Sequence, residues 1–330
     1  MNVETPVDRA AAIKLALQAA VWAPSLHNTQ PWIFAVSGDE ISLRADTERR
    51  LRLADAEGRE MLISCGAALF NLRTSLRASG VEPVVRVLPD PDRPALVARV
   101  RAGDFAVPDE TSRLLNAEIE RRRTHRAGFT SLPVPERLVR DLERQAVAEG
   151  ARLRVIRDAG DVRLLAAVTE VAQLVQARDR QAGLEVVRWS RPPAAARRDG
   201  VPADAYPRSG ARTEPRFAQR DYAWRHGWGS PDDQRFSTAP GVTAVLTTQG
   251  DDRESWITAG EALQAVLLRA SGRGVSAAFH TQPLEIASLR ELIGQVVCLG
   301  EHPQMIMRLG ITFDHVATVR RSVAEMTEES

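Results

Sequence analysis

Lysine is almost missing from this chain. Lys14 is the only one among 44 basic residues, a bias that genomic codon usage explains. Its consequence is chemical: any anion bound here must be met by guanidinium, which grips phosphate bidentately. Cysteine is nearly as scarce. Cys65 and Cys298 show no CxxC spacing and no histidine cluster nearby, so zinc ligation and a structural disulfide are not expected, and both read as small buried hydrophobes. The six histidines stand singly at 27, 125, 226, 280, 302 and 315, and no metal site is expected. No apolar run approaches the roughly 18 residues that span a bilayer. A formal net charge of +1 provides no field to favour nucleic acid or an anionic membrane. The opening "MNVETPVDRAAAIKLAL" has no apolar core of a signal peptide, so a cytoplasmic protein is expected. There is no HExxH, EF-hand loop, GxSxG elbow or Walker A motif. "GRGVSA" (272–277) imitates part of a dinucleotide fingerprint, but it follows a helix and precedes a strand, the reverse of a Rossmann turn.

What is present is a soluble, globular composition, 44% apolar and 26% charged over 330 residues, enough for two domains or one two-lobed one. Residues 8–22 carry a helical apolar stripe that Pro24 stops. "WIFAV" and "ISLRA" around a polar turn read as a hairpin. A long helix is predicted in "GREMLISCGAALFNLRTSLRASG", then strands in "PVVRVLP" and "ALVARVRA", to about residue 103. The later segment reads as helices near 111–123 and 134–148, a strand "RLRVI", and a long helix near 160–182. After an interruption come strand "VTAVLTT", helix "DRESWITAGEALQAVLLRASGRG", strand "VSAAF" and a last strand in "MIMRLGI". The lines "GAALFNLRTSLRASGVEP" and "AGEALQAVLLRASGRGVSA" occupy matching places. Each is a leucine-seamed helix ending in Arg-Ala-Ser-Gly before a valine-led strand, which points to duplication or a fused pair. The expected division is 1–103 and 104–330.

The interruption, about 188–240, gathers three of the six tryptophans, both tyrosines, seven prolines and ten arginines. Disordered linkers are poor in aromatics, so an ordered covering loop is expected, with Trp189, Tyr206, Tyr222, Trp224 and Trp228 as its aromatic residues.

Two short stretches carry the chemistry. "WAPSLHNTQPW" (22–32) puts a polar, proline-bounded turn between two tryptophans, and turn chemistry alone accounts for Pro24, Ser25, Asn28 and Pro31. "RRRTHR" (121–126) sets Thr124 among guanidinium groups. It can serve as a solvated helix end or as a cradle for phosphate oxygens. The doublet Arg320-Arg321 follows the last predicted strand and could close on the same anion.

Together these stretches resemble the FMN-dependent nitroreductase superfamily, whose members carry R-R-S-x-R and, later, P-S-x-x-N-x-Q-P-W. "PSLHNTQPW" (24–32) fits at every fixed position and "RRTHR" (122–126) fits with Thr for Ser. The order is reversed, and each predicted half has kept a different element. That arrangement resembles the fused, Acg-type branch and covers nearly the whole chain. The resemblance implies an α+β fold of two nitroreductase-like halves, sheets flanked by helices, forming a pseudo-dimer in one chain with a lid insertion in the second half. It also implies a monomer, FMN as cofactor, NAD(P)H as co-substrate and a small-molecule electron acceptor.

The same resemblance implies roles. Arg122, Arg123 and Thr124 would grip the FMN phosphate with Arg320 or Arg321, and Arg126 would lie near the pyrimidine edge. Pro24, Ser25, Leu26 and His27 would contact the isoalloxazine, while Asn28 and Gln30 brace their turn. His280 and Gln282, at the end of "VSAAF", fall where family members present backbone N–H groups to flavin N5. No side chain need be a catalytic nucleophile, since hydride would pass through N5 in a ping-pong cycle from NAD(P)H to a nitroaromatic or quinone-like electrophile. If the insertion covers the flavin, storage or sequestration of FMN is the alternative, and a scaffold without flavin the third.

Overall fold

The computed structural model describes residues 8–208, 213–223, 226–230, 238–313 and 318–328. The first half runs α1 (Arg9–Ala20), β1 (Trp32–Ser37), β2 (Glu40–Ala45), α2 (Arg59–Ala78), β3 (Val81–Val87) and β4 (Leu96–Phe105). The chain continues through α3 (Glu110–Ile119), the two-residue strand β5 (Thr124–His125), α4 (Glu136–Ala148), β6 (Arg152–Val155), α5 (Ala159–Arg178) and α6 (Arg180–Arg188). The short strands β7 (Ser190–Arg191) and β8 (Val201–Pro202) lie in the insertion. Then follow β9 (Val242–Thr248), α7 (Arg253–Ser271), β10 (Val275–Phe279), α8 (Ala287–Val296), β11 (His302–Ile311) and β12 (Thr327–Glu328).

Two five-stranded sheets repeat one plan. The first contains β1-β2-β4-β3 and the second β6-β9-β11-β10, each antiparallel throughout. In both, the four strands taken in chain order stand first, second, fourth, third, with a long helix between second and third. The fifth strands are added in parallel at opposite ends: β12 on β1, and β5 on β10. So the chain's last strand completes the first half's sheet, tying the two halves together.

The long helices α2 and α7 are the centre of the molecule. Both are buried around most of their circumference, as a helix wedged between two sheets must be. Their approach is set by two glycines. A Cβ on Gly66 would lie 2.1 Å from the Ile257 carbonyl oxygen, and one on Gly260 would lie 2.0 Å from that of Ile63. The contact is reciprocal, 63 and 66 meeting 257 and 260, which is the signature of a local two-fold axis. Gln264 Nε2 donates to Asn71 Oδ1 at 2.8 Å across the same seam. The main core draws apolar residues from both halves.

The sequence reading holds for α1 to α4, β1 to β4, β6, α7 and β9 to β11, with ends moved by a few residues. It differs in three places. The helix expected at 160–182 is two, because extended Asp179 accepts from the N–H groups of Gln181 and Ala182 and starts α6 as its N-cap. Helix α8 was not expected. The two-residue strands are too short to leave a pattern. Among the described residues no helix is long and apolar enough to cross a membrane.

Candidate functional site

The site begins with the turn between α1 and β1. His27, Asn28 and Gln30 all adopt positive φ, at 51°, 56° and 51°, a region that costs a non-glycine residue roughly 1 kcal/mol or more. The surroundings enforce it. Ser25 Oγ accepts from the Gln30 N–H at 2.9 Å. Asn28 Nδ2 donates to the carbonyls of Gly200 and Val319, and Asn28 Oδ1 accepts from Arg320 Nη1 at 3.0 Å. Gln30 donates to the Arg198 carbonyl and accepts from the Arg321 N–H, both at 2.9 Å. The insertion and the C-terminal segment thus clamp the turn from two sides. Trp32 is fully buried and its Nε1 donates to Met326 Sδ at 3.0 Å, which seats the last strand against β1.

Opposite the turn stand two buried arginines. Arg122 and Arg320 are 4% and 6% exposed, and no carboxylate contacts either guanidinium among the described residues. Among the described residues both donate only to backbone or amide oxygens, meeting at the Trp22 carbonyl. Arg122 Nε and Nη1, Arg320 Nε and Thr318 Oγ1 are buried without a partner. Burial, then the like charges of Arg123 and Arg126, push Arg122 down to about 9. Burial and the same neighbours push Arg320 well below the usual arginine range. The Trp22 ring receives the guanidinium groups of Arg123 and Arg320 at 5.0 and 5.5 Å.

Arg122, Arg320 and Thr318 line a small pocket with Pro24, Ser25, Thr124 and Arg126. The same four residues also line a larger cavity. That cavity continues past Leu26 and His27 to Ile63 and Leu263 of the crossing helices and to the end of β10. Tyr206, Gln219, Arg220 and Tyr222 of the insertion form part of its wall. Tyr222 is held by His27, whose Nδ1 lies 3.0 Å from the Tyr222 hydroxyl. Arg126 donates to the Ala205 carbonyl at 3.2 Å and lies over the Tyr222 ring.

His280 also lines the cavity, and its protonation is determined by its partners. Arg308 Nε donates to Nε2 at 2.9 Å, so Nδ1 carries the proton and donates to the Ala218 carbonyl at 3.2 Å. Burial and Arg308 hold it well below the usual histidine range. Both nitrogens are committed, which makes His280 a fixed neutral wall. His27 is likewise held neutral by burial, Arg220 and Arg126.

Several expected residues do not reach either pocket. Arg123 turns out of the site because its guanidinium donates to the Glu120 and Arg122 carbonyls and stacks on Trp22, placing it in a neighbouring groove. Gln282 points to Gln173 and the Ala218 carbonyl. Gln30 and Arg321 brace the turn, and Arg321 Nη2 donates to the Glu325 carbonyl. Of the doublet, then, Arg320 faces the pocket. Trp189 is packed under Arg49 and Arg191, Trp228 stacks on His226, and Trp224 lies outside the described residues. The sequence reading missed Glu60, Ser64, Gln219, Arg220, Thr318 and Gly200–Pro202. None belongs to a motif; each arrives through long-range folding.

No protein-family model matches the chain. It is 32% identical over 333 aligned positions to the Mycobacterium tuberculosis protein named "Putative NAD(P)H nitroreductase Rv3131", covering 99% of this chain and 94% of that one. It is 31% identical to "Putative NAD(P)H nitroreductase acg" of the same organism, covering 95% and 94%. Among solved structures it shares 17% identity and a TM-score of 0.41 with the FMN-dependent nitroreductase NfnB from Mycobacterium smegmatis in complex with NADPH, covering 67% of this chain and all of that one. With near-complete overlap on those two mycobacterial sequences, the chain belongs to the Acg-type family of NAD(P)H nitroreductase-like proteins.

Proposed function

We propose that this chain binds one FMN between its two halves and acts as an NAD(P)H-dependent two-electron reductase of nitroaromatic or quinone-like electrophiles. The observation that carries the reading is the arginine pocket. Buried donors on Arg122, Arg320 and Thr318 have no protein acceptor, and a phosphate monoester supplies charge and oxygens of the matching kind. The pocket opens through Pro24, Ser25, Thr124 and Arg126 into the larger cavity, as a ligand with an anionic tail and a flat ring requires. FMN, when bound, supplies hydride chemistry between a nicotinamide and an electrophile.

The chain's own residues then have distinct tasks. Arg122 and Arg320 neutralise the phosphate, and Thr318 and Thr124 add hydroxyl donors. Pro24, Ser25 and Leu26 position the ring from the first half, while Arg126 places a cation beside it from the second. Ile63 and Leu263 exclude water at the helix crossing. His280 is spared from acid–base work by its two hydrogen bonds.

A second reading, FMN storage, is supported by Tyr206 and Tyr222, which line the cavity from the insertion; in this reading the insertion acts as a lid. The two halves cross in one chain as separate subunits would, so a monomer is expected, with its division near residue 103. Titration of flavin-free protein with FMN and with riboflavin tests the cofactor; equal affinity for both would refute the phosphate role. Rapid mixing of the loaded protein with NADPH or NADH then separates the readings. Bleaching within seconds supports the reductase, and lasting colour without oxygen supports storage.

A further inference from the structure

The wall of the larger cavity, outside the arginine pocket, holds a carboxyl group that the proposed function leaves unused. Glu60, the second residue of α2, is almost completely buried in the cavity wall. Its Oε1 accepts from Arg59 Nη2 at 2.8 Å, while Oε2 is buried without a partner. Three carboxyl groups gather here, Asp55, Glu60 and Glu285, against the two guanidinium groups of Arg59 and Arg220.

Burial raises two of the three carboxyls, and their partners set how far. It pushes Asp55 up against the N–H groups of Glu60 and Met61, which Asp55 accepts at 2.9 and 2.8 Å. Glu285 is ion-paired with Arg220 and also accepts from Gln176 Nε2 at 2.7 Å and from Thr281 Oγ1 at 3.2 Å. Glu60 has a single donor, and Arg59 divides its hydrogen bonds between Glu60 and Gln304. His280 adds no charge, both its nitrogens being engaged in the neutral form. Burial first, then Glu285 and Asp55, outweigh Arg59 and Arg220 and push Glu60 up to about 8. A neutral Glu60 accepts through Oε1 and carries its proton on Oε2, a donor facing no protein acceptor. Two more donors in the same wall, the Tyr206 hydroxyl and Gln219 Nε2, also lack acceptors.

We propose that Glu60 is a ligand-binding acid, whose Oε2–H donates to a ring-borne carbonyl or nitro oxygen of the molecule in this cavity. With Tyr206 and Gln219 it selects flat ligands whose edge carries oxygen acceptors. The inference rests on the reading that the cavity takes flat ring systems. The oxygen can belong to the flavin ring or to a quinone beside it, and the test separates these sources.

The test is equilibrium binding from pH 6 to 9.5, followed by fluorescence without nicotinamide nucleotide. FMN is titrated into flavin-free protein, and 1,4-naphthoquinone into both flavin-free and FMN-loaded protein. Circular dichroism follows the fold at each pH. Where Glu60 meets the ligand, wild-type affinity falls by about tenfold per pH unit above the break. Glu60→Gln, which keeps a neutral donor, binds as wild type does at pH 6 and shows no break near pH 8; a fall near pH 9 with FMN, where Arg122 loses its charge, is common to both proteins. A break with FMN assigns the flavin ring as the partner, and a break with naphthoquinone alone assigns the second ligand. Profiles flat through pH 8 for both ligands, or a break near pH 8 that survives in Glu60→Gln, overturn the inference. If FMN fails to bind at every pH, the cofactor reading falls while the naphthoquinone titration still tests Glu60.

Discussion

Replacing Arg122 with methionine should move stability and ligand affinity in opposite directions. In the ligand-free protein Arg122 is a buried cation among like charges, held down to about 9, far below the usual arginine range, first by burial and then by Arg123 and Arg126. At about 1.4 kcal/mol per pH unit that depression corresponds to roughly 5 kcal/mol of unfavourable burial. A lowered cation pKa penalises the fold throughout the range where both states are charged, and the penalty fades only as pH rises above about 9. Methionine removes the charge at similar length. It also gives up one long hydrogen bond to the Trp22 carbonyl, worth about 1 kcal/mol. With partial relaxation, we expect Arg122→Met to be more stable without ligand by about 2 kcal/mol, a rise of a few degrees in Tm. FMN affinity should fall. Two charge-assisted hydrogen bonds to phosphate at about 1.5 kcal/mol each amount to roughly two orders of magnitude in Kd. Riboflavin affinity should be unchanged. Thermal scans and titrations with both flavins measure all three quantities. A variant that loses FMN and riboflavin equally, or is less stable without ligand and binds FMN normally, would refute the phosphate assignment.

Other expectations follow from the same geometry. Gly66→Ala or Gly260→Ala drives a Cβ into backbone 2.0 to 2.1 Å away, so each should cost more than about 3 kcal/mol by urea unfolding, above ordinary overpacking. A smaller cost would mean the helices separate easily. Asp199 accepts from Arg49, Arg191 and Arg197, and although burial opposes ionisation, these hydrogen bonds hold its carboxyl below the usual range. Asp199→Asn should therefore lose about 2 kcal/mol at neutral pH. The difference from wild type should shrink as pH falls below the unfolded aspartate value, and a pH-independent difference would contradict the ion cluster. Tyr222→Ala removes a ring that lies under Arg126 and is hydrogen-bonded to His27. If the insertion gates the cavity, NADPH should bleach the bound flavin several-fold faster, and an unchanged rate counts against gating.

The halves of the site differed in how openly the sequence displayed them. "PSLHNTQPW" is one contiguous turn, so the family motif it resembles can be matched to it residue by residue. The reciprocal glycines were visible only as small residues early in two similar helices, and their contact is a property of the crossing. Arg122 and Arg320 were named from charge, but charge cannot tell Arg122 from Arg123 or Arg320 from Arg321. Which neighbour turns inward depends on carbonyl partners: that of Trp22 takes Arg122 and Arg320, while Arg123 donates to the Glu120 and Arg122 carbonyls and Arg321 to the Glu325 carbonyl. Glu60 was hidden for a related reason. It stands at the start of an apolar helix, where an acid ordinarily complements the dipole, and only packing against the second half makes it a cavity residue. Arg220 and Gln219 sit in the insertion, where ten arginines leave no pattern to read. Helix α8 follows a proline and contains Gly294, and β5 and β12 are too short to show periodicity.

The most direct test of the whole account is stoichiometry. Flavin-free protein is titrated with FMN while mass is followed by light scattering, so that flavin per chain and chains per particle are read together. A single polypeptide that supplies both Ser25 and Arg122 to one pocket should bind one FMN per 36.2 kDa monomer. Binding of two per chain, or binding only in a dimer with one site shared between chains, would contradict it.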